Sequence, residues 1–150
     1  MASDDVRVRP LESGDREVWQ ELFAGYREFY EIDPDDTPVD RVWGWLQDDA
    51  HEVGGLVAEV DGTVVGFAHH RLYSRPSEGG RGLYLDDLYA RPDVRGRGVG
   101  RALIERLAEM AREQGCAKVR WMTAEDNHVA QRLYDSLAQR TTWVTYDLPV

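Results

Sequence analysis

The sequence predicts an α/β domain in which helices flank a mixed sheet, with the elements in the order β-α-α-β-β-β-α-β-α-β. Three observations favour this class. Two β-branched runs flank a short turn, several other segments repeat apolar residues at helical spacing, and the glycine-rich stretch "DVRGRGVG" leads from a strand into a long amphipathic helix. A length of 150 residues with 42% apolar residues predicts one domain, spanning residues 1–150, with a substantial core.

The N-terminal part predicts one strand and two helices. "VRVRP" alternates as a short strand does, and "SGDREVWQELFAGYREFY" has helical spacing, with Ser13 or Asp15 as the N-cap. A second helix is expected to begin at Thr37, Pro38 and Asp40, because proline suits the first helical position and the acid completes a capping box. Its apolar face would consist of Val39, Val42, Trp43 and Leu46.

The remaining segments predict five more strands and two more helices. "GLVAEVDGTVVGFAHHRLY" contains Asp61-Gly62, a sequence typical of a tight hairpin turn. "GRGLYLDDLYARPD" is a strand that Pro92 ends, and "VGRALIERLAEMAREQG" is a helix with Gly115 at its C-terminal cap. "AKVRWMT" is the next strand, "NHVAQRLYDSLA" the next helix and "TTWVTYDL" the last strand.

The composition argues against several classes of function. Eighteen basic and 28 acidic residues give a net charge of −10, which disfavours binding to nucleic acid and to anionic membranes. Cys116 is the one cysteine, and the four histidines have no ligand spacing, so no metal site is expected. The sequence has no apolar run of membrane-spanning length and begins without an apolar leader, which favours a cytoplasmic protein.

The glycine-rich stretch runs against the acidic composition. Between Arg91 and Arg101 four arginines face one aspartate, a local charge of +3. The first backbone N–H groups of a helix have no partner within the helix, and glycines let an anion approach them closely, so the stretch predicts an anion site. A solvated basic loop is the alternative. The glycine spacing fits neither a P-loop nor a dinucleotide-binding fingerprint.

The spacing that does fit is R-x-x-G-x-G, formed by Arg95, Gly98 and Gly100. With "NHVAQRLYDSL" downstream, it resembles the GNAT superfamily of N-acetyltransferases, and "LDDLYA" is most similar to the small-amine and polyamine members. The resemblance implies a mostly antiparallel sheet flanked by helices and acetyl-coenzyme A as cosubstrate. It implies these coenzyme-binding residues: Leu88, Tyr89, Ala90, Arg95, Gly96, Arg97, Gly98, Val99, Gly100, Arg101 and Asn127.

Two carboxylates are candidates for handling the proton of the acceptor. An amine with a pKa of about 10.4 must lose a proton before it attacks a thioester, and a carboxylate can take that proton directly or through water. The resemblance favours Asp86 as this base or water-holder, and Asp87 as a substrate-binding residue. Side chains alternate along a strand, so at most one of the two is expected to face the acceptor. Alternatively, both carboxylates merely bond the next loop.

Two further roles follow from the resemblance. A strand bulge at Leu88 to Ala90 would present a backbone N–H to the acetyl oxygen. Tyr134 would be the acid that protonates the leaving thiolate. Tyr134 also lies at helical spacing with Ala130, Leu133 and Leu137, so simple packing is the alternative interpretation.

The leading hypothesis is an enzyme that transfers acetyl directly to a small cationic amine in a ternary complex. A protein or peptide acetyltransferase and a non-catalytic acyl-coenzyme A-binding module are the alternatives. The C-terminal "SLAQRTTWVTYDLPV" lacks the Gly-Phe and the second strand usual in the family. That leaves an open sheet edge, so a homodimer is expected.

Overall fold

The computed structural model describes residues 5–150. Residues 1–4, where the expectation of no apolar leader begins, lie outside the described residues. Within the described chain, five strands form one sheet in the order β1-β2-β3-β4-β5, antiparallel except for the parallel pair β4–β5. The strands are β1 (Val6–Pro10), β2 (Val53–Val60), β3 (Thr63–Arg75), β4 (Gly80–Ala90) and β5 (Val119–Arg120). The helices are α1 (Arg16–Phe29), α2 (Asp36–Leu46), α3 (Val99–Glu113) and α4 (His128–Leu137).

Apolar side chains cover both faces of the sheet. On one face α3 buries Val99, Leu103 and Leu107 against the strands, and α4 adds partly buried side chains at its edge. On the other face α1 and α2 bury Trp19 and Trp43 against β2 and β3. The mixed fold, with a mostly antiparallel sheet flanked by helices, is therefore as predicted.

Local sequence explains most element ends. Asp61 and Gly62 both have positive φ, 52° and 78°, as the predicted tight hairpin requires. The predicted N-cap of α2, Thr37, was wrong by two residues. The N-cap is Asp35, whose carboxylate accepts a hydrogen bond from the backbone N–H of Thr37. Asp15 does not cap α1 with its side chain, because its carboxylate instead accepts hydrogen bonds from Arg9 and from the backbone of Glu12.

Strand β4 contains one residue more than the β3 segment it pairs with. His69 lies opposite Asp87 while His70 lies opposite Leu85, so Asp86 is the extra residue of a β-bulge. The predicted bulge at Leu88 to Ala90 was wrong, because those residues pair regularly with β3. The bulge also overturns the expected alternation: Asp86 contacts Arg71, Asp87 contacts His69, and both carboxylates lie on the α1/α2 face.

A gap opens along the edge of β4 that pairs with β5. The parallel pairing of β4 with β5 covers only Leu83 and Tyr84, opposite Val119 and Arg120, so no strand of residues 5–150 lies beside the later part of β4 on that edge. Helix α4 follows this gap, and its N-cap Asn127 accepts the N–H of Ala130. The gap gives a ligand access to the β4 backbone.

The predicted final strand is absent from the described chain. Residues 139–150 form no ladder, although "TTWVTYDL" alternates as a strand does. Trp143, Tyr146 and Leu148 are 83%, 90% and 87% exposed. The order is therefore β-α-α-β-β-β-α-β-α, because the alternating segment has no ladder partner among the strands of the described chain.

Candidate active site

A cavity of about 580 Å³ lies where β4 and α4 diverge, beside the N-terminus of α3. One wall is the end of β4, the floor is the glycine-rich loop with the first turn of α3, and the other wall is α4. The end of α1 closes the top with Phe29 and Tyr30. We call this space the coenzyme cavity.

The loop beneath this cavity is shaped to receive an anion. Gly96 and Gly98 both have φ of 85°, a conformation that residues with a side chain rarely adopt. The N–H groups of Gly98, Val99 and Gly100 form no hydrogen bond with the described backbone, and they point out of the N-terminus of α3. A Cβ on Gly100 would lie 3.3 Å from Leu133, in the narrow space between α3 and α4. These features fit the pyrophosphate of coenzyme A.

The predicted coenzyme residues are brought together, with one exception. Ten of the eleven line the cavity; the guanidinium of Arg97 instead lies 3.7 Å from Asp5, and its backbone N–H bonds to Val94. The sequence pattern did not indicate six further lining residues, of which Phe29 and Tyr30 lie at the end of α1. Their exposure of 53% and 39% shows that α1 extends beyond the core at this end. The missed residues are Phe29, Tyr30, Val94, Val129, Ala130 and Leu133.

Tyr134 lines the same cavity and also packs against the core. Its ring meets Trp121 edge to face at 5.3 Å, and its hydroxyl forms no hydrogen bond with another residue in 5–150. Burial, with a smaller effect from Tyr30, raises the pKa of Tyr134 to about 12. The hydroxyl therefore keeps its proton at neutral pH.

A second cavity, of about 410 Å³, lies on the opposite face of the sheet and is called the acceptor cavity below. Both bulge carboxylates, Asp86 and Asp87, open into it. The two cavities thus meet β4 at consecutive positions: residues 86–87 line one and residues 88–90 line the other. The lining residues are Val42, Trp45, His51, Glu52, Val53, His69, Arg71, Asp86 and Asp87.

A buried hydrogen-bond chain holds Asp87. The indole N–H of Trp19 donates to Nε2 of His69 at 2.9 Å, and Nδ1 of His69 lies 2.8 Å from the Asp87 carboxylate. Indole can only donate, so Nε2 must accept and the His69 proton must be on Nδ1, directed at Asp87. Burial acts to raise the pKa of Asp87, but the hydrogen bond and charge interaction with His69, with a smaller effect from Tyr26, outweigh it and hold the pKa below its ordinary value. Asp87 is therefore a fixed anion.

Asp86 has the opposite electrostatic environment. Burial raises its pKa, and the nearby Arg71, whose Nε donates to both carboxylate oxygens at 3.0 and 3.2 Å, only partly offsets that effect. Two adjacent carboxylates thus have pKa values displaced in opposite directions. Such pairs are typical of sites that divide proton transfer from charge stabilisation.

No metal-binding group of three or more histidine, cysteine, aspartate or glutamate side chains occurs among residues 5–150. No helix in this part of the chain is long and apolar enough to cross a bilayer.

The glycine-rich loop at the N-terminus of α3, the gap beside β4 and the tyrosine on α4 are the arrangement expected of an acyltransferase that uses a coenzyme A thioester. The chain belongs to the acetyltransferase (GNAT) family, whose model matches residues 17–138, and it is an N-acetyltransferase that uses acetyl-coenzyme A.

The chain is similar to several individual N-acetyltransferases. The chain is 31% identical over 148 residues to a D-amino-acid N-acetyltransferase of Saccharomyces cerevisiae, covering 97% of this chain and 92% of the yeast protein. It is 36% identical over 74 residues to a thialysine N-epsilon-acetyltransferase of Bos taurus, a match covering 49% of this chain and 43% of the bovine protein. Among solved structures, a ribosomal-protein-alanine N-acetyltransferase from Brucella melitensis biovar Abortus 2308 superposes with a TM-score of 0.81 at 29% identity, covering 97% and 99% of the two chains.

The cradle geometry predicts a specific loss of coenzyme affinity in Gly98→Val. A branched side chain at this positive φ would displace the N–H groups that face the pyrophosphate, so binding of coenzyme A should weaken at least tenfold, about 1.4 kcal/mol. Gly115→Val, which places the same strain at the other end of α3 where φ is 71°, is the matched control. Calorimetry should show weakened binding in the first variant only; equal affinities in both folded variants would contradict the assignment.

Proposed function

We propose that this chain, acting as a single domain, transfers acetyl from acetyl-coenzyme A to a small amine by direct attack in a ternary complex. The observation that supports this best is the position of β4 between two cavities. Residues 86–87 meet the acceptor cavity and residues 88–90 meet the coenzyme cavity. An amine and a thioester bound on either side of this short segment would meet at its edge.

In this mechanism the coenzyme lies along the open edge of β4. Its pyrophosphate would accept hydrogen bonds from the free N–H groups of Gly98, Val99 and Gly100, and Asn127 at the start of α4 would lie beside it. The backbone between Leu88 and Ala90 would place an N–H against the thioester oxygen. The guanidinium of Arg95, which lies over Phe29 at 5.9 Å, would add positive charge at the mouth.

The two carboxylates would have different roles towards the amine. Asp87, held ionised by His69, would bind and orient the ammonium, and Asp86 would take its proton directly or through water. The raised pKa of Asp86 makes it the stronger base of the two. The free amine then attacks the thioester carbon, the C–N bond forms, and the C–S bond breaks with the electron pair leaving on sulfur. Tyr134 would give its proton to that thiolate, and the proton that the new amide nitrogen loses would restore the tyrosine hydroxyl through solvent.

The acceptor cavity supports a small acceptor. Its volume of about 410 Å³ is in the range of small-molecule sites, and its three carboxylates, Glu52, Asp86 and Asp87, favour a positively charged amine. The named activities of the yeast and bovine relatives, on D-amino acids and thialysine, agree with such an acceptor. Release of coenzyme A in the presence of acetyl-coenzyme A and a panel of small amines tests the proposal. Tight coenzyme binding with no amine-dependent release would identify a binding module instead.

Asp86→Asn should lower turnover most at neutral pH. The amine is almost fully protonated there and needs the base, whereas towards pH 9 a growing fraction is free without help. The rate of the variant relative to the wild type should therefore recover as the pH rises. Asp87→Asn should instead raise the KM for the amine across this range. A loss in Asp86→Asn that is equal at every pH would show that the carboxylate is structural.

Tyr134→Phe should separate chemistry from packing. Phenylalanine keeps the contact with Trp121 and removes only the hydroxyl, which has no hydrogen-bond partner in the described chain. Thermal stability and coenzyme affinity should hold while turnover falls about 10²- to 10⁴-fold. The fall should be smaller with an acyl donor whose leaving thiol is more acidic. A variant that keeps more than half the wild-type rate, with chemistry limiting turnover, would exclude Tyr134 as the acid.

The enzyme is also proposed to act as a homodimer. The segment 139–150 stands apart from β5, and a groove of about 730 Å³ lies between them with Trp121 and Trp143 among its walls. A strand from a second copy would pair with the β5 edge and bury the exposed Trp143, Tyr146 and Leu148. Light scattering at micromolar concentration should give about twice 17.1 kDa; a monomer alone would contradict the proposal. The cytoplasmic location stays a prediction of the sequence.

A further inference from the structure

Arg71 is the one arginine or lysine that lines the described acceptor cavity, and only part of its guanidinium is engaged. Nε donates to Asp86, and the guanidinium carbon lies 4.8 Å from the centre of the Tyr84 ring, which fixes its plane. The two terminal Nη groups form no hydrogen bond with residues 5–150. The side chain is 34% exposed, so these donors can reach a ligand.

The free donors have the geometry of a carboxylate site. A guanidinium presents paired N–H groups that match the two oxygens of a carboxylate, and a plane already fixed by Tyr84 and Asp86 loses little freedom on binding. Around it stand Asp86, Asp87 and Glu52. A ligand that satisfies this cavity therefore carries an anionic group for Arg71 and a cationic group for the carboxylates.

The positions for the anionic group and the cationic group of such a ligand lie close together. Arg71 Nε lies 3.0 Å from the Asp86 carboxylate, so an ammonium at Asp86 and a carboxylate at the Nη groups of Arg71 would be close neighbours, as are the two charged groups that flank the α-carbon of an amino acid. The rest of the cavity is a wall of the stacked rings of Trp45 and His51, 4.8 Å apart and 6° from parallel, with Val42 and Val53. This wall suits an apolar or aromatic substituent on that carbon.

We propose that the acceptor is an α-amino acid whose carboxylate is bound by the terminal nitrogens of Arg71 while its amine lies at Asp86 and Asp87. This inference rests on the proposed acetyl transfer and names the chemical class of its acceptor. It makes Arg71 the residue that distinguishes an amino acid from a simple amine.

The test compares phenylalanine, in each enantiomer, with phenethylamine, which lacks only the carboxylate. The ratio of their kcat/KM values is measured at saturating acetyl-coenzyme A in the wild type and in Arg71→Gln. The ratio should fall about 10- to 100-fold in the variant, the usual effect of losing hydrogen bonds to a charged group. Any effect of the substitution on Asp86 acts on both acceptors and cancels in the ratio.

Two matched variants sharpen the result. Arg75→Gln removes an arginine farther along β3 that does not line the cavity, and it should leave the ratio unchanged. Arg71→Lys keeps the charge but not the paired donors, and it should lower the ratio by an intermediate amount. Melting temperatures confirm that each variant is folded.

A binding measurement separates this inference from the proposed activity. Calorimetry of phenylalanine with protein saturated with coenzyme A needs no turnover, and affinity should fall about 10- to 100-fold in Arg71→Gln. A ratio and an affinity that Arg71→Gln leaves unchanged would overturn the amino-acid inference while acetyl transfer stands. Absence of turnover with every amine would overturn the proposed activity, and the calorimetry would still decide the role of Arg71.

Discussion

The one extra residue in β4 is the constraint on which the site depends. Strand side chains alternate, so a regular strand would direct one of the two carboxylates, Asp86 or Asp87, towards the α3 core and the other towards α1 and α2. The bulge resets the alternation: Leu83 and Leu85 face the α3 core before it, and Leu88 and Ala90 face the same core after it. Both carboxylates therefore reach one cavity without burying a charge in the apolar layer.

The environment of each carboxylate then sets what it can do. A histidine whose tautomer is fixed by Trp19 donates to Asp87 and stabilises its charge, whereas Asp86 keeps a raised pKa despite Arg71. Trp19 is fully buried, so this arrangement is built into the core of the α1/α2 layer and not into a loop. A site supported in this way holds its groups in position before the substrate binds.

The coenzyme cavity depends on the unpaired edge of β4. β5 accompanies β4 for only two residue pairs, and the strand edge beyond them is open where α4 turns away. The N-terminus of α3 faces the same gap and supplies a region of positive potential in a protein of net charge −10. The two cavities are thus separated by a single strand, with opposite electrostatic character on its two sides.

Much of this was determined by the sequence itself. The hairpin at Asp61-Gly62, the helix faces and the glycine cradle at Gly98 and Gly100 are local patterns, because backbone conformation and periodicity depend on neighbouring residues. The family and its coenzyme followed from the same local spacing. Only the tertiary structure showed that Asp86 and Asp87 share a face, because a bulge depends on how two strands pair and leaves no mark in either one. The hydrogen bond between Arg71 and Asp86 likewise depends on the pairing of β3 with β4. The segment that contains Trp143 alternates as a strand does, but it pairs with no strand of the described chain. Strand pairing brings together segments that are distant in sequence, so alternation within one segment cannot determine it.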